Sequence, residues 1–182
     1  MKVWAKRMRS PLARWIRLGT LGALIALQAE EAARALPQGT DLSALLSAEE
    51  QAQLARERNP AKQVRLLLRI AEKRLQEAKR LTNQESFDPA LSVLLAYQAL
   101  LEHAFARIET VPPGGRRKSA YKDFDLHVRR QLKDLEPMTR AFPLGLTAEA
   151  ERVFKTATRL RFEALNAFAG ERILTHPRPK SQ

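Results

Sequence analysis

The strongest pattern in the chain is the helical spacing of apolar residues between residues 88 and 110. Asp88 and Pro89 open this segment and are typical of an N-cap and a first helical residue. The apolar positions are Leu91, Leu94, Leu95, Leu101, Ala104, Phe105 and Ile108, with Val93, Ala96, Tyr97, Ala99 and Leu100 among them. Because this helix is apolar on nearly all sides, we expect it to have several neighbours and to be the central helix of a bundle.

A short helix and a long helix are predicted before the central one. Ser47 and Glu50 have the spacing of a capping box, which starts a short peripheral helix that ends near residue 58. Asn59 and Pro60 then start the long helix. Its apolar stripe consists of Val64, Leu67, Leu68, Ala71, Leu75, Ala78 and Leu81. The short connection to the central helix favours a helical hairpin.

Two more helices are predicted after residues 111–115, a turn of prolines and glycines. The first covers residues 119–142, with a kink or break at Pro137 because proline removes a helical hydrogen bond. The second has Thr147 as its N-cap and ends near Gly170. The predicted fold class is therefore all-α, an antiparallel bundle of four principal helices plus a short N-terminal helix.

Residues 1–35 have the pattern of a secretory signal peptide. A basic start without acids before Glu30 leads into the uncharged stretch 18–29, and Ala33 and Ala35 supply the small residues of a cleavage site. The alternatives are an inner-membrane anchor formed by residues 15–29, a cytosolic basic amphipathic helix and an organellar transit peptide. We predict a signal peptide at residues 1–35, a helical-bundle domain at 36–174 and a disordered tail at 175–182. The expected location is the periplasm or the cell exterior.

Composition narrows the function classes. The chain of 182 residues has no cysteine, which excludes a disulfide framework, a Cys-ligated zinc and a thiol nucleophile. The formal net charge is +12, but residues 1–35 hold seven Lys/Arg and two Glu, a net of +5. Nearly half of the positive excess therefore lies in the segment expected to be removed, which disfavours a nucleic-acid partner.

The sequence contains no recognisable catalytic or metal-binding arrangement. His103, His127 and His176 lack the spacing of metal ligands, and we interpret His103 as a hydrogen-bonded structural side chain. Asp125 and Arg129 are spaced for a surface ion pair along one helix. No G-x-S-x-G motif, phosphate-binding glycine loop or dinucleotide fingerprint occurs. We therefore predict a protein that is not an enzyme, with no catalytic, metal or cofactor-binding residues and no cofactor.

A basic segment precedes and continues along the helix predicted at residues 119–142. The candidate polyanion-binding residues are Arg116, Arg117, Lys118, Lys122, Arg129, Arg130 and Lys133. The candidate ligands are nucleic acid, anionic lipid headgroups and envelope polysaccharide. Acids are interleaved at Asp123, Asp125, Asp134 and Glu136, and the aromatic residues fall on the buried stripe. These two features favour an ordinary solvated helix face over a dedicated binding patch.

The segments VRLLLRIAEKRLQEAKRL and LSVLLAYQALLEHAFARIE, within residues 64–109, carry a family resemblance. The matching residues are Ala71, Arg74, Leu75, Glu77, Ala78, Leu81, Leu95, Tyr97, Ala104 and Ile108. This pair resembles uncharacterised exported bacterial helical domains, some of which occur beside membrane-anchored anti-sigma factors. The resemblance implies an exported helical hairpin and no known activity. Because no sigma-factor-binding segment is visible, the regulatory association does not carry over.

The function expected from these observations is that of an exported, non-enzymatic helical protein. It is expected to contact another envelope protein in the periplasm or cell envelope. The alternative is a polyanion binder that acts through the basic face of residues 116–133. Membrane contact is expected only through an uncleaved N-terminal segment or weakly through the surface.

Overall fold

The computed structural model describes residues 41–170, which form six α-helices and no strand. The helices are α1 (Leu42–Leu45), α2 (Ala48–Arg56), α3 (Pro60–Asn83), α4 (Phe87–Glu109), α5 (Gly115–Ala141) and α6 (Leu144–Ala169). The all-α prediction is confirmed for this part of the chain. None of these six helices has the length and the apolar composition that a membrane crossing requires. The predicted signal peptide at residues 1–35 and the predicted tail at residues 175–182 lie outside the described residues.

Side-chain caps start α2 and α3 as the sequence predicts. Ser47 Oγ accepts the backbone N–H of Glu50 at 3.2 Å, and the Glu50 carboxylate accepts the backbone N–H of Ser47 at 2.9 Å. This reciprocal pair completes the capping box. At α3, Asn59 Oδ1 accepts the backbone N–H of Ala61 at 3.0 Å, and Pro60 is the first helical residue.

α4 begins two residues before the position that the sequence indicates. Its N-cap is Ser86, which makes no side-chain capping hydrogen bond. Asp88 lies within the first turn, so the prediction that it caps the helix is wrong. At this position its negative charge still interacts favourably with the positive end of the helix dipole.

α5 also begins earlier than predicted. It starts at Gly115, four residues before the predicted start at 119, because Gly114 takes a φ of 119° that glycine adopts readily and redirects the chain. The helix then continues through Pro137 to Ala141, so no break occurs at the proline. The single lost backbone hydrogen bond is tolerated in a helix that is held on two sides by its neighbours.

α6 begins at Leu144 and not after Thr147. Thr147 lies in the first turn, where its hydroxyl is 2.9 Å from the carbonyl oxygens of both Phe142 and Pro143. The prediction that Thr147 is the N-cap is therefore wrong. The other end is as predicted, since Gly170 takes the left-handed conformation of a C-cap, with a φ of 74°.

The four long helices pack against one another in pairs. α3 packs most extensively on α4 and α5 on α6, while smaller contacts join α3 to α5 and α4 to α6. Two ion pairs lie along the α3–α5 contact, Arg65 with Asp123 and Lys79 with Asp134, each at 2.7 Å. Because residue numbers increase along both helices from one pair to the other, α3 and α5 run side by side in the same direction.

The core lies between the four long helices. Its largest fully buried side chains are Tyr97, Phe124, Leu67, Leu68, Ile70, Leu75, Leu94, Leu100, Leu101, Ile108, Leu135 and Val64. The Tyr97 hydroxyl donates a hydrogen bond to Gln131 Oε1 at 3.1 Å, so the buried phenol has a partner. α4 contacts α1, α3, α5 and α6, which confirms that it has neighbours on several sides. It is not covered all round, however, because Leu95 is 43% exposed.

One ion pair fastens both short helices to the outside of the α3–α4 hairpin. A guanidinium nitrogen of Arg74 donates to the Glu50 carboxylate on α2 at 2.7 Å and to the carbonyl oxygen of Leu45 on α1 at 3.3 Å. Leu46 and Leu54 add the buried apolar contacts of this segment. α2 contacts mainly α3, in agreement with its predicted peripheral position.

Candidate polyanion-binding face

The outward side of α5 carries a row of basic side chains. We define the α5 basic face as Arg116, Lys118, Lys122, Arg129, Arg130 and Lys133. All six are exposed, and none forms an ion pair with a residue of the described range 41–170. Lys122, Arg129 and Lys133 are spaced by seven and four residues, so they lie on one side of the helix. From Lys118 to Lys133 the row is about 22 Å long at 1.5 Å per residue.

Arg117, the seventh predicted residue, does not belong to this face. It is half-buried, and its Nε donates to the carbonyl oxygen of Val111 at 2.7 Å. One of its terminal nitrogens donates to the carbonyl oxygen of Glu109 at 2.8 Å. Arg117 therefore holds the α4–α5 connection and satisfies carbonyl groups at the end of α4.

The acids of α5 are engaged in ion pairs. The pairs are Asp123 with Arg65 at 2.7 Å, Asp134 with Lys79 at 2.7 Å, Asp125 with Arg161 at 2.9 Å and Glu136 with Arg140 at 2.6 Å. Three of these four pairs connect α5 to α3 or α6. The acids were expected to cancel the field of the basic segment, but they mainly neutralise cations that lie outside the α5 basic face.

The predicted surface pair between Asp125 and Arg129 is wrong. Asp125 is only 8% exposed, and its carboxylate accepts a hydrogen bond from Arg161 Nε at 2.9 Å. Arg129 is exposed one turn further along the helix. The nearby cation from α6 thus replaces the partner that helical spacing alone suggested.

A second basic row on α3 lies beside α5 and was missed by sequence reasoning. An open cleft of ≈ 590 Å³ joins the two helices; its lining consists of Gln53, Glu57, Lys62, Arg65, Leu66, Arg69 and His127. The steps of three and four residues from Lys62 through Arg65 and Arg69 to Lys73 are visible in the sequence. They could not be added to the site because the sequence does not show that α3 and α5 are neighbours.

Charge is distributed unequally among the long helices. α3 holds seven Lys/Arg and two acids, a net of +5, and α5 holds eight and four, a net of +4. α4 has one cation and three acids, a net of −2, and α6 has four and three, a net of +1. The side-by-side helices α3 and α5 therefore carry +9, whereas α4 and α6 together carry −1.

The α5 basic face offers no aromatic surface. Tyr121 and Phe124, the aromatic residues of α5, are buried. Burial raises the pKa of Tyr121 to about 12, and its hydroxyl donates a hydrogen bond to the carboxylate of Glu109.

His127 Nδ1 is 2.8 Å from the carbonyl oxygen of Asp123. Among residues 41–170, no three His, Cys, Asp or Glu side chains converge in the way that a metal site requires.

A separate apolar groove runs along the outer side of α4. Its volume is ≈ 440 Å³; its lining consists of Ala44, Leu45, Arg74, Ser92, Val93, Leu95, Ala96 and Ala99. Leu95, 43% exposed, is the large apolar side chain of the groove that is most accessible. His103, further along α4, is half-buried and lies beside a smaller cleft lined in part by Leu42 and Leu67.

Comparison with protein families gives a match. The model of a domain of unknown function, DUF5667, matches residues 45–139, more than half of the 182-residue chain. The chain belongs to the DUF5667 family. The match covers residues 64–109, so the predicted resemblance of that segment to an uncharacterised domain is confirmed. Neither the curated proteins nor the solved structures gave a match.

The DUF5667 match contains the whole α5 basic face but ends in the last turn of α5, before α6. In this chain α6 still completes the core, because Val153, Ala157 and Leu160 are buried against the other helices. Arg161 of α6 also pairs with Asp125 inside the matched segment. This member of DUF5667 therefore folds as a unit that extends past the matched residues.

Proposed function

We propose that this DUF5667 protein is an exported, non-enzymatic helical module that binds polyanions through the α5 basic face. The supporting observation is the pairing of Asp123, Asp125 and Asp134 with cations of α3 and α6. These pairs leave the exposed cations of α5 without acidic partners in the described part of the chain. A surface with summed positive charge attracts polyanions and accelerates their association.

The proposal includes a location and a detailed architecture. Residues 36–174 are proposed to form a bundle of four principal helices in which helices consecutive in sequence are antiparallel, after a signal peptide at residues 1–35. The α3–α4 and α5–α6 contacts support the bundle. The basic start, the uncharged stretch 18–29 and the small residues Ala33 and Ala35 support the signal peptide. In the periplasm or envelope, the abundant polyanions are lipid headgroups and charged polysaccharides, which weakens the case for nucleic acid.

Heparin chromatography in a salt gradient tests the binding function. The α5 variant combines Lys122→Glu, Arg129→Glu and Lys133→Glu, and leaves Arg117 in place because that side chain holds a loop. The wild-type chain should be retained at about 0.15 M salt, and the α5 variant should elute at markedly lower salt. Circular dichroism should show equal helix content in both. Equal elution of the two proteins, or no retention of the wild type, would refute the proposal.

A second candidate function, protein–protein contact, is favoured by the groove on α4. Leu95 is exposed there beside the small residues Ala96 and Ala99 and beside Leu45 of α1. Such a groove can accept an apolar side chain or helix of a partner. Cross-linking in the native envelope, followed by purification, separates the two candidates. A partner protein that is lost with Leu95→Glu but retained with the α5 variant would support this second function.

A further inference from the structure

We infer that the polyanion is an anionic lipid surface, and that α3 and α5 contact it together. This inference rests on the proposed function and adds both a ligand class and a second helix to it. We define the two-helix basic face as the α5 basic face plus Lys62, Arg69 and Lys73 of α3. These three side chains are exposed and form no ion pair with any residue from 41 to 170.

The relative orientation of the helices makes this face approximately planar. The ion pairs Arg65–Asp123 and Lys79–Asp134 hold α3 and α5 side by side along their length. Packed helices lie about 8–10 Å apart. The α3 row, from Lys62 to Lys73, is about 16 Å long, and it runs beside the α5 row of about 22 Å. Two parallel rows can contact a planar array of headgroups at the same time.

The charge asymmetry of the helices gives the molecule a preferred orientation at such a surface. α3 and α5 carry +9, and α4 and α6 carry −1. A negatively charged membrane therefore attracts the α3–α5 side selectively. Each Lys or Arg close to an anionic leaflet contributes about fivefold in affinity. Lysine and arginine side chains are long enough to bring their charges to the surface from both rows.

The same geometry disfavours nucleic acid as the ligand. α5 is packed against α3 on one side and α6 on the other, so it does not project as a helix that enters a groove about 12 Å wide. Stacking on unpaired bases is also excluded on this face, because Tyr121 and Phe124 are buried and α3 has no aromatic residue. What remains on the face is charge from flexible side chains, which suits phosphate headgroups.

Co-sedimentation with vesicles tests the inference. The affinity of the full chain is measured for vesicles of phosphatidylcholine alone and for vesicles that also contain phosphatidylglycerol. The ratio of the second affinity to the first is called the gain. The α3 variant combines Lys62→Glu, Arg69→Glu and Lys73→Glu, and the α5 variant is the one defined above. The α6 variant combines Arg152→Glu, Lys155→Glu and Arg159→Glu, which are exposed positions on a helix that makes no extensive contact with α3. All three variants change the net charge equally and share residues 1–35.

The α3 and α5 variants should each reduce the gain by at least about 100-fold, because the loss of three cations at about fivefold each gives that factor and the three introduced Glu side chains add repulsion. The α6 variant should reduce it by less than about fivefold, because its charges are distant from the leaflet and screened. A gain in the α3 variant that equals the wild-type gain would overturn the two-helix face. Should the α3 variant lose helix content, Gln in place of Glu at the same positions gives the same comparison with a smaller expected loss.

Further outcomes separate this inference from the proposed function. Wild-type protein that binds heparin but gains nothing from phosphatidylglycerol would overturn the lipid assignment and leave polyanion binding intact. Tighter binding to duplex DNA than to the anionic vesicles, at equal salt, would assign the face to nucleic acid. Failure to bind heparin, vesicles and DNA would overturn the proposed function together with the inference.

Discussion

Asp125 of α5 and Arg161 of α6 form an ion pair inside the α5–α6 hairpin, with 2.9 Å between Asp125 Oδ1 and Arg161 Nε. Their side chains keep only 11% and 22% of their exposure, respectively. The pair stabilises the contact between the two helices and removes one acid from the surroundings of the α5 basic face. It thus connects the packing of the fold to the charge of the candidate site.

Loss of Arg161 should destabilise the protein more than loss of any exposed cation. In Arg161→Ala the Asp125 carboxylate stays largely buried without its partner, which should cost about 3 kcal/mol of the free energy of unfolding in urea. Arg129→Ala is the matched control, because Arg129 is exposed and pairs with no described acid; it should cost less than about 0.5 kcal/mol. Equal costs for the two variants would contradict the buried ion pair between Asp125 and Arg161.

Two adjacent leucines on α4 should respond very differently to truncation. Leu94 is 0% exposed, so Leu94→Ala removes core contacts and should cost roughly 2–5 kcal/mol in thermal or urea unfolding. Leu68→Ala on α3 should behave alike, since Leu68 is also 0% exposed. Leu95→Ala is the control, because Leu95 is 43% exposed and should cost less than about 1 kcal/mol. A larger effect at Leu95 than at Leu94 would mean that α4 is rotated.

Alkaline pH should reveal the burial of both tyrosines. The chain has two, Tyr97 and Tyr121, and burial raises the pKa of both phenols, to about 12 for Tyr121. In the unfolded chain both ionise near pH 10. Between about pH 10 and 12 the unfolded state therefore loses protons that the folded state keeps, and the free energy of unfolding should fall as pH rises. Below this window the two phenols are protonated in both states and contribute no pH dependence.

Ultraviolet absorbance of tyrosinate directly measures the ionisation of Tyr97 and Tyr121. The folded protein should show little tyrosinate at pH 10, whereas the protein in urea should titrate near its ordinary pKa of about 10. Extensive ionisation of the folded protein at pH 10 would contradict the burial of Tyr97 against Gln131 and of Tyr121 against Glu109.

Local patterns in the sequence were sufficient for helices α2 to α6 and for most of their buried positions, but they did not predict α1 or the exposure of Leu95. The stripe that includes Leu68 and Leu75 is buried on α3, because a period of 3.6 residues depends only on neighbouring positions. Helix starts were less predictable. Near the start of α5, Arg117 donates hydrogen bonds to the carbonyl oxygens of Val111 and Glu109. No local pattern in the sequence predicts these contacts.

The candidate site was predicted in part, for the same physical reason. The cations on the outward side of α5 follow from helical spacing alone. The ion pair of Asp125 does not follow from helical spacing, because its partner Arg161 is 36 residues away in sequence. The row of Lys62, Arg69 and Lys73 could not be included either, since its place beside α5 depends on how the two helix hairpins pack.

Mass spectrometry of the protein from its native host tests the predicted export. The mature N-terminus should be Leu36, because Ala33 and Ala35 provide the small residues that signal peptidase requires. The variant Ala35→Arg is the control and should block this cleavage, because it removes the small residue next to the cleavage site. Soluble cytoplasmic protein that retains Met1 would contradict export.

The most direct test of polyanion binding compares two proteins of equal net charge on a heparin column. The α5 variant and the α6 variant each carry three charge reversals, on the α5 basic face and on the outer side of α6, respectively. If the binding depends on the position of the charges, the α5 variant should elute at clearly lower salt than the α6 variant, which should elute close to the wild type. Elution of both variants at the same salt concentration would show that net charge alone governs retention and would contradict a binding face on α5.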